Sequence, residues 1–90
     1  MLKVKVARER MANAVNYATG EGYGLTPILD DDADLCDWAR WLIADVTEHP
    51  LEELDADGLV VTMDGGDVVI GVQPGAAGNE VLQAVRQHVL

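Results

Sequence analysis

The chain has no serine and no phenylalanine, a single cysteine, and only six lysines and arginines against sixteen aspartates and glutamates. Each scarcity narrows the range of functions. Without serine, the ordinary hydroxyl nucleophile is missing, and Thr19, Thr26, Thr47 and Thr62 are weak substitutes. Cys36 alone forms no intramolecular disulfide, and no spacing ties it to His49 or His88, the only imidazoles. One Cys and two distant His also serve zinc poorly, because a structural site takes four ligands at short spacings. The aromatics are Trp38, Trp41, Tyr17 and Tyr23, too few for the stacking platforms of single-strand nucleic-acid binders. No apolar run approaches the roughly 18 residues of a membrane span, and the first residues lack the apolar core of a signal peptide. These absences point to a non-catalytic protein of a reducing, cytoplasmic setting that needs no cofactor or metal and does not engage a membrane.

What is present is acid and aliphatic carbon. Of 90 residues, 49% are hydrophobic, mostly Val, Ala and Leu, which is enough for a packed core. The length fits one domain, residues 1–90. The formal charge of −10 is unevenly spread. Lys3, Lys5, Arg8 and Arg10 cluster at the start, whereas the thirteen acids between Asp30 and Asp67 face Arg40 alone. Such a block repels phosphate backbones, so direct binding of DNA or RNA is disfavoured and a basic protein surface is the favoured partner.

Periodicity divides the chain into elements. Leu2-Lys3-Val4-Lys5-Val6 alternates with period two, as a half-buried strand does. From Arg8 the period becomes helical through Met11, Val15 and Ala18, which predicts a helix over 8–19 with Gly20 as its left-handed stop. Gly20 to Gly24 reads as a flexible connection, and Leu25–Leu29 as an optional extended segment limited by Pro27. Leu35, Trp38, Ala39, Leu42, Ile43 and Val46 trace the apolar face of a second helix, capped by Asp32 or Asp34. His49-Pro50 ends it, and Leu51–Leu54 adds a turn with Pro50 at its first position. Leu59–Met63 and Val68–Val72 are β-branched runs joined by Asp64-Gly65-Gly66-Asp67, a hairpin signal. Pro74 to Gly78 breaks the chain before a last helix marked by Val81, Leu82, Val85 and Val89. The order β-α-(β)-α-β-β-α predicts an α+β fold, a small antiparallel sheet with helices packed mainly on one face.

Three patterns bear on chemistry. Asp30, Asp31, Asp32, Asp34 and Asp37 have the oxygen ligands a hard cation takes, but adjacent aspartates point apart, and acids at a helix start already serve capping and the helix dipole. Glu53, Asp55, Asp57, Gly58 and Asp64 fall at positions 1, 3, 5, 6 and 12 of a calcium loop, with Glu and Asp exchanged at its two ends and a hairpin where a helix should follow. The glycines of Gly71 to Asn79 separate a strand from a helix without the spacing or the lysine of a phosphate loop. Turn and capping roles account for all three.

The remaining pattern is a stripe. Asp34, Asp37, Trp41 and Asp45 are spaced by three or four on the second helix, away from Leu42 and Ile43, with Asp31 at its start. An aromatic rimmed by acids has the composition of an interface hot spot for a basic partner, and equally of a tryptophan that covers the end of a small core. These five residues are the expected partner-binding set. The expected function is a protein-binding module or inhibitor, in kind like small phage inhibitors and immunity proteins, whose acidic surface engages a basic, nucleic-acid-handling protein as a nucleic-acid mimic. The rival reading is a salt-adapted acidic small subunit, with acids on every exposed face, or a carboxylate-based metal-binding domain, in either case without nucleic-acid mimicry.

Overall fold

Alternation along the first strand is realised in space. In the computed structural model, which describes residues 1–24 and 26–90 and Tyr23 through its backbone, β1 (Leu2–Ala7) turns Leu2, Val4 and Val6 to one side and Lys3, Lys5 and Ala7 to the other. β2 (Val60–Asp64) and β3 (Asp67–Val72) form the expected hairpin, with Gly65 at φ 63° in its turn. The sheet is antiparallel with order β1-β3-β2, so the last strand in sequence is central. Register places Val6, Val68 and Met63 in one row and Val4, Ile70 and Val61 in the next, on the face that the helices cover. The opposite face carries the rows Lys3, Gly71, Val60 and Lys5, Val69, Thr62.

α1 (Arg8–Tyr23) buries Met11, Val15 and Thr19 at a spacing of four. It does not stop at residue 19. Gly20 and Gly22 stay helical, and the left-handed cap falls at Gly24, with φ 67° and its N–H donating to the Gly20 carbonyl at 3.1 Å. A helix tolerates exposed glycine at modest cost, and the left-handed conformation is needed only where the chain turns away. The optional strand is not formed over residues 26–30, and Leu25 lies outside the described residues. Pro27 donates no ladder hydrogen bond, and the segment is held instead by Arg8, whose Nη2 donates to the Leu29 carbonyl at 2.7 Å.

α2 (Asp32–Thr47) is capped by Asp31 rather than by Asp32 or Asp34. Asp31 is extended, and its Oδ1 accepts from the amides of Ala33 at 2.8 Å and Asp34 at 3.2 Å. The helix ends on Glu48, the one non-glycine residue at positive φ among those described. α3 (Leu51–Ala56) follows with Pro50 as its cap residue, one position earlier than the sequence suggested. α4 (Ala76–His88) begins within the expected break and includes Gly78. A side chain there would overlap the Gln73 carbonyl oxygen, so only glycine lets α4 start so close to the end of β3.

α2 lies against α1, α3, α4 and β2. Leu35, Ala39, Leu42 and Ile43 fill the space between it and the sheet, within one cluster that draws on β1, β3 and all four helices. The α+β class and the one-sided packing of the helices are as the sequence predicts.

Candidate functional site

The predicted stripe is assembled by α2. Its core face is fixed by Leu35, Ala39, Leu42 and Ile43, and helical geometry then places Asp34, Asp37, Trp41 and Asp45 together on one flank. The three aspartates are exposed and Trp41 is half-buried. The Trp41 ring meets that of Trp38, also half-buried, edge to face, with centroids 5.4 Å apart and an interplanar angle of 75°. Packing thus fixes the indole while the carboxylates around it stay in solvent.

Three of the cations pair with other acids. Arg8 Nε donates to Asp32 Oδ1 at 3.0 Å, Lys5 Nζ pairs with Asp64 Oδ2 at 3.2 Å, and Arg40 pairs with Asp55 of α3. Asp34, Asp37 and Asp45 form no ion pair among the described residues. Asp31, the fifth predicted residue, stands at the end of the stripe with its carboxylate turned onto the helix amides. It contributes charge there, but its first role is structural.

The other chemical candidates are not brought together. Asp55 and Asp64 of the calcium-like spacing turn to Arg40 and Lys5, and Glu53 turns to His49, so the set does not converge. Among the described residues no group of three or more His, Cys, Asp or Glu is arranged to hold a metal ion. Cys36 is half-buried, and burial, with Asp32 and Asp37 adding to it, pushes its thiol pKa up, which disfavours the nucleophilic thiolate. The glycines after β3 line an open cleft with Asp57, Gly58 and Gln73, where Asp57 opposes an anion at the start of α4. Among the described residues no helix is long and apolar enough to cross a membrane.

Sequence reasoning missed one cluster. His49 Nε2 lies 2.5 Å from Glu80 Oε2 of α4, and its Nδ1 lies 3.6 Å from Glu53 Oε1 of α3. The hydrogen bond to Glu80 raises the histidine pKa above its ordinary value; burial opposes it, and the charges of Glu80, Glu53 and Asp57 add to the rise. The spacing of His49 and Glu53 was legible, but the approach of Glu80 depends on how α4 docks.

No protein-family model, curated protein or solved structure matches the chain. Its functional reading therefore rests on its own residues, and what the α2 flank can do is present fixed negative charge around an apolar contact.

Proposed function

We propose that the chain is a non-catalytic protein-binding module that engages a basic protein surface through Asp34, Asp37, Trp41 and Asp45 of α2. Three exposed carboxylates without ion-pair partners among the described residues, set around an indole that packing holds in place, carry this reading. The carboxylates would steer and orient lysines and arginines of the partner, and Trp41 would supply the apolar contact that fixes the complex. A partner that handles nucleic acid has such a basic surface, and occupying it would make the module an inhibitor.

The test is a comparison of variants on a common partner. Wild-type protein and a D34N/D37N/D45N variant are immobilised, exposed to lysate at low salt and eluted by a salt gradient. A basic protein retained by the wild type is then purified and its affinity for both measured. A loss on the order of 10- to 100-fold, mostly in the association rate and diminishing at high salt, is expected. Equal retention by the two proteins would end the proposal. Asp31→Asn is a useful companion, since Asn caps as well as Asp and removes charge without removing the cap.

A further inference from the structure

Three helices meet at the end of α2. The chain leaves that helix through Glu48, left-handed at φ 58°, and passes His49 and Pro50 before α3 begins. The His49 side chain is 28% exposed and stands between carboxylates of the other two helices. Glu80 Oε2 of α4 lies 2.5 Å from Nε2, and Glu53 Oε1 of α3 lies 3.6 Å from Nδ1. The charged groups that act on the imidazole are acids, Glu53 and Asp57 from α3 and Glu80 from α4. The ring also lines an open groove of about 370 Å³, to which α2 contributes Val46 and Thr47 and α4 a second imidazole, His88.

The two contacts differ in what one proton can maintain. A charged imidazole donates from both nitrogens and so holds both carboxylates, whereas a neutral one has a single N–H. Kept on Nε2, at the shorter contact, that N–H still donates to Glu80. Nδ1 then turns a lone pair toward Glu53, acceptor against acceptor. The helices differ as well. α4 is anchored by Val81, Ala84 and Val85, all buried, while α3 fully buries only Leu54 and has no side chain capping its start. The other side-chain tie of α3 is Asp55, paired with Arg40 beyond its first turn. Release of Glu53 therefore frees the first turn of α3 and leaves the rest held.

We infer that His49 is a proton-controlled clasp, which ties α3 and α4 to the end of α2 when charged, and when neutral keeps α4 and lets the first turn of α3 fray. The hydrogen bond to Glu80 moves the change upward from the ordinary histidine range, toward neutral pH. The clasp uses none of the four α2 residues proposed to meet a partner, and the two readings stand or fall separately.

Heteronuclear NMR of the full chain from about pH 5.5 to about 8.5 tests this, since ring nitrogen shifts report the charge and tautomer of His49 and Cα shifts the helix population of each turn. As His49 loses its proton, the ratio of formed to frayed first turn in α3 is expected to fall about 2- to 5-fold, the worth of one exposed ion pair. Residues 80–84 of α4 should not change, and the neutral ring should carry its proton on Nε2. Glu53 and Glu80 are each 56% exposed, so their variants are expected to fold. Glu53→Gln should abolish the response of α3 while His49 still titrates. Glu80→Gln, which leaves the proton free to sit on Nδ1 and donate to Glu53, should keep the first turn of α3 formed at high pH. His88→Gln should leave the wild-type response in place. Any of four results would overturn the inference: an α3 that ignores the His49 titration, equal fraying of α4, a response that survives Glu53→Gln or vanishes with His88→Gln, or a neutral wild-type ring protonated on Nδ1.

Discussion

The imidazole of His49 donates a hydrogen bond to a carboxylate of one helix and lies in the field of another, and its protonation is thereby coupled to folding. Its pKa is raised in the folded chain above the ordinary histidine value of about 6.5. The folded state therefore binds the proton more tightly, and the resulting stabilisation is complete below pH about 6.5 and is lost as pH rises through the higher folded value. His49→Gln should accordingly lose stability relative to wild type at pH 5.5 and converge on it by pH 8.5, as read by urea midpoints. A constant gap across that range would assign His49 to packing alone. At the same scale the sequence was legible in part. An aspartate at the start of α2 was predictable, because four stand there and acids suit a helix N-terminus. Which one caps was not, since the cap is the residue that stays extended, and that depends on Arg8 fixing Leu29 and Asp32.

At the scale of elements, glycine decided where sequence reasoning failed. Gly20 reads as the end of α1 and Gly22 as part of the connection after it, and both are inside the helix, with open space where a Cβ would stand. Gly78 looked like part of a break and is inside α4, with no room for a Cβ. The same residue type thus predicts opposite outcomes. Gly20→Ala and Gly22→Ala should each stabilise the chain by about 0.5–1 kcal/mol, the propensity difference within a helix. Gly78→Ala should destabilise it by more than about 1 kcal/mol despite the same propensity gain, because α4 must shift off Gln73. Denaturant titration of the three variants checks both signs. The hairpin and α2 were readable because their signals are local: two β-branched runs around Gly65 and Gly66, and an apolar stripe at helical spacing. The pairs Lys5–Asp64, Arg40–Asp55 and His49–Glu80 were not, because each joins residues that only the docked elements bring together.

For the whole molecule, a charge of −10 on 90 residues acts against compactness. Exposed acids stand on α1 at Glu9 and on α3 at Glu52 as well as on α2, so part of this charge is general, in keeping with the rival reading of salt adaptation. The two contributions separate by stability. If the α2 flank is kept for binding, the Asp34–Asp37 repulsion and the charge of Asp45 toward the helix C-terminus are a local burden, and D37N/D45N, which keeps Asp34 in the first turn, should be more stable than wild type by about 0.2–0.5 kcal/mol at low salt. That advantage should shrink as sodium chloride screens the wild type, while both proteins gain from salt through the remaining acids. Thermal unfolding from about 0.05 to 1 M salt reads both trends, and a variant no more stable than wild type would remove the local burden. The two tryptophans of the chain stand within one turn of each other on α2, and there is no phenylalanine. Ultraviolet emission excited at the red edge of the indole band, beyond the absorption of Tyr17 and Tyr23, therefore comes from this helix alone, so the protein carries an intrinsic optical reporter at the surface proposed to meet its partner, and binding there can be followed without a label.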